Sequence, residues 1–494
     1  MGCSAALFGP LSTAGPTRTR RVTAAAVLVV VALAVRTIFV KYETGDYATF
    51  YGWYEFIKQH GGLHALKYNF ANYNEPYLYL LSLVSYTSLA PLWGIKLISV
   101  SFDIVLGYFT YRLVRLRYPE GWAPLAAAAI VLFLPTVVLN SALWAQIDAS
   151  YSSLCLGGLY FSLRRRPWWA CVFFGLALAF KLQAIFVFPL LALLVLRRWV
   201  PWRALLAIPA VFIVADVPAF ALGASFSTLW KTYTGEVGLY NELTLNAPNI
   251  YQYLDITVSP TLRSAGIAAT AVIVLALLAW ATARRVELDA TRIVLAAAVS
   301  AVLLPFLLPA MHERYFYLAD SLTVISAFYV PRRLWPLPII EQFASVMSYM
   351  PFILATTRTA GSSAGSTAGS TGGPATGTGA PPGNVAGGPG NPGGSASVGS
   401  LARSGGARPG PPGLKHNLLP QDNGIAGITS HAVISFPVLT TAMLLALVLV
   451  LWATSRQFRS RGPTPSAPAE ALARPPASCQ QVLHELRADG QPSA

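Results

Sequence analysis

Apolar runs about as long as a membrane crossing recur along this chain, separated by short arginine clusters. The first covers 22–40 and follows the basic string Thr17–Arg21. Others cover 97–111, 124–140, 150–163, 169–180, 185–196, 205–222, 265–283, 293–308, 315–330, 334–354 and 434–452. The pattern predicts an all-α integral membrane protein with about twelve transmembrane helices. No cleavable leader is read at the start, so the first helix is expected to be retained, with a cytoplasmic N-terminus.

Arginine placement tests that topology, because Lys and Arg accumulate in cytoplasmic loops. Alternating the spans puts Arg112, Arg115 and Arg117 inside. Arg164–Arg166, Arg197, Arg198, Arg203, Arg284, Arg285, Arg332 and Arg333 follow them, as do Arg456, Arg459 and Arg461 of the tail. Removing one helix turns the later clusters outward, so the sidedness favours an even number of spans. For that reason the apolar run 77–89 is read as an interfacial or re-entrant piece within a long first extracytoplasmic loop. A second long outer loop covers about 223–263, and both are rich in Tyr, Asn and Trp. The domain reading is a multi-span membrane domain over 1–356 and a Gly/Ser/Pro/Ala-rich loop over 357–417. A last span region over 418–455 and a tail over 456–494 complete it. The loop and tail lack the large apolar side chains that would offset their ordering entropy, and are expected to be disordered.

Composition changes little in this picture but excludes alternatives. The 494 residues are 54% hydrophobic and 11% charged, too apolar for a soluble core. A net charge of +15 could suggest nucleic acid, but the arginines lie in membrane loops and no recognition module is present. Four cysteines show neither disulfide nor metal spacing. No nucleotide-binding glycine motif occurs.

With only 20 Asp and Glu, their positions carry information. Asp46 falls at the outer surface just after the first span. It suits a general base or, the reading its spacing alone favours, the cap of a helix starting at Tyr47. Asp148, with Gln146, falls in the outer turn before the fourth span. It is a candidate substrate or metal ligand, or a cap. His312, Glu313 and Arg314 follow the ninth span on the same side and suit a phosphate, or form a solvated helix end. Lys181 either snorkels to the interface or meets a phosphate. Asn246 and Asn249 offer amides for sugar hydroxyls, or simply a turn. Asp103 and Lys96 read as structural partners of neighbouring helices.

Six strings occur in one order: Thr44–Tyr47, Asn72–Tyr77, Asn140–Asp148, Phe180–Ala184, Asn246–Asn249 and Met311–Phe316. In that order, over about residues 36–333, the chain resembles bacterial and algal relatives of the mannosyltransferase that adds the second mannose of GPI anchors. More broadly it resembles GT-C fold glycosyltransferases. The resemblance implies a polyprenyl- or dolichyl-phosphate sugar donor, inversion at the anomeric carbon, and Asp46 as base. It also implies His312 and Arg314 at the donor phosphate, Asp148 in a second acidic position, and interfacial helices in the first outer loop. Two departures are Ala145 where relatives favour Gly, and Glu75 where they favour Pro. Glu75 adds a further outer carboxylate that competes for the role of base.

The function expected is therefore an inverting mannosyltransferase at the extracytoplasmic or lumenal face. The acceptor would be a glycan, glycolipid or protein. The membrane would be the plasma membrane in a bacterium or the endoplasmic reticulum in a eukaryote. No cofactor is required by these motifs, and a divalent metal near Asp148 stays open. The alternatives are a transporter or lipid-linked sugar flippase, and a non-catalytic assembly subunit. The absence of paired repeats with broken midplane helices disfavours the transporter.

Overall fold

A computed structural model describes residues 17–227, 229, 241–284, 286–365 and 432–459. It is an almost wholly helical, multi-pass membrane protein. The first span, α1 (Arg18–Phe39), is capped by Thr17, whose hydroxyl accepts from the Arg20 amide. The loop that follows carries two helices, α2 (Gly45–Gln59) and α3 (Glu75–Ser85), joined by a 3-10 turn over Gly62–Lys67. Eleven residues of α3 extend about 16 Å, half a bilayer core, so the run 77–89 is not a span by itself. Its buried face packs with Phe50, Trp53, Phe56 and Ile57 of α2 in a separate aromatic core.

Next come α4 (Pro91–Arg117), α5 (Ala123–Leu132), α6 (Pro135–Val138), α7 (Asp148–Leu163), α8 (Pro167–Phe180), α9 (Phe188–Leu196) and α10 (Ala207–Ala221). Beyond the second loop lie α11 (Pro260–Ala283), α12 (Ala290–Leu307), α13 (Tyr317–Tyr329), α14 (Pro331–Leu334), α15 (Leu337–Gly365) and α16 (Phe436–Arg459). Strands β1 (Thr244–Leu245) and β2 (Met311–His312) pair in parallel. The helix α15 runs nine residues into the Gly/Ser/Pro/Ala-rich segment. The rest of that segment, and the tail past Arg459, lie outside the described residues.

The expected count of about twelve spans is not confirmed. Among the described residues seven helices are long and apolar enough to cross a membrane. An eighth appears if α5 and the segment Pro135–Leu143, bent by 52°, count as one. The difference arises because several apolar runs form only short helices: α13 has 13 residues, α8 has 14 and α7 has 16. An apolar run reveals what a segment is dissolved in, but not where its helix breaks.

Apolar side chains of α1 and α11, such as Val30 and Leu275, are exposed and face the lipid, whereas α12 is buried nearly all round. Several polar groups inside the bundle are paired. Arg36 Nε of α1 donates to Asp103 Oδ2 of α4 at 2.8 Å, and Ser141 and Tyr317 donate to the same carboxylate. Lys96 Nζ donates to the Val40 carbonyl at 3.0 Å and to those of Phe39 and Tyr42, closing the end of α1. Both residues are thus structural partners, as their positions suggested. The Tyr79 hydroxyl inserts into the ladder of α10. It donates to the Ala215 carbonyl and accepts from the Ala219 amide beside Pro218, which pins α3 to that helix.

Candidate active site

Four breaks in regular structure deliver the polar residues to one place. At the first, α2 begins immediately after α1. The Thr44 hydroxyl accepts from the Tyr47 amide and donates to the Trp144 carbonyl at 2.9 Å. Asp46 therefore stands in the first turn of α2, held beside the Trp144 segment and partly exposed.

The second break follows α6. A π turn over Leu139–Leu143 gives way to Ala145 in the left-handed region, with φ at 69°. The Gln146 amide bonds back to the Asn140 carbonyl at 2.9 Å. This reversal presents Gln146 and starts α7 at Asp148, whose charge also suits the positive end of that helix. The φ at Ala145 is one that Gly adopts without strain, which accounts for a preference for Gly at this position.

The third break ends α8 at Lys181, an extended residue before the 3-10 turn Leu182–Val187. At the fourth, α12 ends and the chain pairs as β2 with β1. The Glu313 amide donates to the Leu245 carbonyl at 3.1 Å.

The side chains then form one connected network. Gln146 Nε2 donates to Asp46 Oδ2 at 2.6 Å. Gln146 Oε1 accepts from the Tyr73 hydroxyl at 3.2 Å and from Lys181 Nζ at 3.4 Å. An ammonium can meet only the oxygen of an amide, so Lys181 sets which way Gln146 points. Lys181 Nζ also pairs with Asp148 Oδ1 at 2.6 Å, while Asn140 Nδ2 donates to Asp148 Oδ2 at 2.8 Å. Arg314 Nε lies 3.8 Å from Asp148 Oδ2, and its Nη1 donates to Glu313 Oε1 at 2.7 Å. His312 Nδ1 lies 3.6 Å from Glu313 Oε2.

Burial divides the roles. Asp148 and Glu313 are fully buried and Lys181 is 5% exposed, so Lys181 does not snorkel; it closes a buried ion pair. Asp46, His312 and Arg314 keep some exposure and can meet a ligand. Burial, helped by the neighbouring Arg314 charge, pushes His312 below its ordinary range, so its ring is neutral near pH 7. Burial opposes ionisation of Glu313. Arg314 and the His312 ring outweigh it and hold the carboxyl below its usual range. Burial likewise opposes the Arg314 charge, but Glu313, Asp46 and Asp148 keep the guanidinium protonated. Arg314 Nε makes no hydrogen bond within the protein.

Asn246 and Asn249 divide. Asn246, with φ at 62°, bridges to His312 through its backbone, and its Nδ2 makes no bond within the protein. Asn249 is fully buried. Its side chain donates to the Leu308 carbonyl at 3.5 Å, and its own carbonyl accepts from Thr440. Glu75 stands apart from the network. Burial, with Asp216 nearby, raises its carboxyl to about 8, so it is protonated at neutral pH and is not a resting base. Tyr73, Asn140 and Trp144 belong to the site although sequence reasoning did not single them out. Trp144 lies under the Arg314 guanidinium at 5.7 Å. Tyr73 and Asn140 sit inside two of the six strings, a signal that could have found them. Among the described residues no three His, Cys, Asp or Glu side chains gather as a metal cluster. Both Asp148 oxygens are engaged by cationic or amide donors.

Residues 76–309 match glycosyltransferase family 87. The matched stretch carries Gln146, Asp148, Lys181, Asn246 and Asn249. Asp46 lies 30 residues before its start, and the His312–Arg314 triplet begins three residues past its end. The match supports a membrane glycosyltransferase, which implies a lipid-linked sugar donor and an acceptor meeting at a bilayer. A search of curated proteins returned no match.

Proposed function

We propose that the protein is an inverting glycosyltransferase of the GT-C type. It would move a sugar, in our reading mannose, from a polyprenyl-phosphate donor to an acceptor hydroxyl at the extracytoplasmic or lumenal face. The observation that carries this reading is the partly exposed Asp46 carboxylate, oriented by Gln146 against the buried Lys181–Asp148 pair.

In this reading the acceptor oxygen attacks the anomeric carbon as its proton passes to Asp46. The bond from that carbon to the donor phosphate oxygen breaks, and its electron pair leaves on the phosphate. Gln146 holds one Asp46 oxygen and leaves the other for the hydroxyl. Arg314, partly exposed and held by Glu313, supplies a fixed positive charge for the departing phosphate, and His312 stands next to it. Lys181 and Asp148 are positioning residues acting through Gln146 and Arg314. Three carboxylates and two cations leave this cluster one negative charge in excess, with His312 neutral. Protonation of Asp46 during transfer removes that excess.

The test is incubation of the purified protein with polyprenyl-phosphate [³H]mannose and candidate acceptors. The expected result is labelled product together with free polyprenyl phosphate. Donor consumption only from a different polyprenyl-phosphate sugar would change the sugar and keep the mechanism. No turnover of any polyprenyl-phosphate sugar would overturn the reading.

A further inference from the structure

A cleft of about 500 Å³ opens between α9, α11, α12 and α16, and no residue of the Asp46 network lines it. Its walls are apolar, with Leu193, Leu277, Leu303 and Leu451 among them. One end is different. There Ser455 and Arg459 line it, with Trp280 and Trp452 beside them. Arg284 lies over Trp280 at 5.6 Å, while Arg456 and Arg333 lie over Trp452 at 5.3 and 5.8 Å. Four arginines thus ring one mouth. Of the nearby acids, Asp289 is paired with Arg292, and Glu287 is exposed in the loop alongside.

The depth of the cleft is informative. Two contacts mark level along α16: Arg292 bonds the Gln457 carbonyl near one end, and Thr440 bonds the Asn249 carbonyl near the other. On α16 the lining runs from Val448 to Arg459, about 16 Å of rise, and on α12 it reaches Leu304, about 18 Å beyond Arg292. That is about half the hydrocarbon core, or one leaflet. The cleft opens at the arginine end and stops short of Thr440, on whose side the catalytic network lies.

We infer that this cleft binds an anionic phospholipid from the leaflet opposite the active site, its headgroup on Arg284 and Arg459 and an acyl chain between α11 and α16. The arginine ring is complementary to a phosphate-bearing headgroup, and tryptophans suit the headgroup level. The one-leaflet depth fits a chain entering from that face. The isoprenoid tail of a donor reacting at Asp46 would enter from the other face. The bound lipid would tie α11, otherwise mostly lipid-exposed, to the bundle.

The experiment uses the full protein in phosphatidylcholine nanodiscs doped with phosphatidylglycerol carrying a diazirine on its acyl chain. Crosslinks are expected on α16 within 448–458 and on α11 within 274–281, and unlabelled phosphatidylglycerol should compete them. Arg284→Gln and Arg459→Gln should each weaken the competition about fivefold, the effect of one basic charge near a membrane surface. Leu451→Trp fills the cleft and should abolish the crosslinks with all arginines intact. Equal labelling by a diazirine-bearing phosphatidylcholine would overturn the proposal, since that is ordinary boundary lipid. So would unchanged labelling in Leu451→Trp, or displacement by polyprenyl phosphate but not by phosphatidylglycerol. None of these readouts depends on sugar transfer, so the inference fails or survives independently of the proposed activity.

Discussion

Four carboxylates illustrate how surroundings, rather than residue type, divide roles at the residue scale. Asp148 and Glu313 are buried and satisfied by cations. Asp46 is partly exposed and held by one amide. Glu75 is buried beside Asp216 and carries its proton to about pH 8. That last group makes stability depend on pH with a definite sign. Between its ordinary value of 4.5 and about 8, the folded state holds a proton that the unfolded state has released. Raising pH across that window therefore destabilises the fold, and the loss is complete above about 8. Glu75→Gln mimics the protonated form and removes this contribution. Melting in detergent from pH 5 to 8 should show a smaller fall in Tm for Glu75→Gln than for the parent chain, with transfer retained. An equal fall would place the pH dependence elsewhere. Asp46, Asp148, Lys181 and the His312–Arg314 triplet were legible in the sequence as polar residues beside apolar runs. The rivalry between Glu75 and Asp46 was legible too, but its outcome was not. That outcome turns first on the burial of Glu75 and second on Asp216, 141 positions away along the chain and brought near by the packing of α3 on α10.

Breaks make the site at the scale of elements. The π turn over Leu139–Leu143, left-handed Ala145, extended Lys181 and the two-residue β pair each interrupt a helix where a side chain must turn inward. Irregular backbone at such depth is tolerated where protein, not lipid, surrounds it. Ala145 shows how narrow the tolerance is. It is fully buried at positive φ, a conformation that Gly takes freely and β-branched residues avoid. Ala145→Gly should leave transfer within about twofold, because the placement of Gln146 and Asp148 survives. Ala145→Val should cost about 1–3 kcal/mol of stability and most of the activity. Thermal shift and transfer assays on the two variants check this, and equal behaviour would remove the turn from the account. Such breaks were only partly readable beforehand. Pro135 and Pro189 are visible as punctuation, but an alanine at positive φ and a π turn carry no residue signature. The short helices α7, α8 and α13 were likewise read as full spans, because apolarity continues through their ends.

Two faces of the whole molecule have different chemistry. Asp46, Gln146, Asp148 and the triplet gather toward one end of the bundle. The arginine clusters of the loops after α4, α7, α9 and α13 lie at the other ends of those helices. The membrane class and the arginine asymmetry were legible from composition and spacing, because lipid imposes both on any chain that crosses it. The long-range network was not legible, since it joins residues about 100 positions apart through hydrogen bonds. Sidedness is open to direct measurement. A membrane-impermeant maleimide should label Ala48→Cys in intact cells or sealed vesicles, and Arg332→Cys only after permeabilisation, each in a background lacking the native cysteines. Labelling of both from one side would break the topology on which an extracytoplasmic site depends.

The central claim is that Asp46 takes the proton of the acceptor. It is tested most directly by comparing Asp46→Asn with the parent enzyme in single-turnover transfer from a polyprenyl-phosphate sugar, with donor binding and Tm measured on the same samples. Transfer by Asp46→Asn should be lower by about 10²–10⁴-fold, with donor affinity and Tm little changed. Transfer by Asp46→Asn at the parent rate would contradict it.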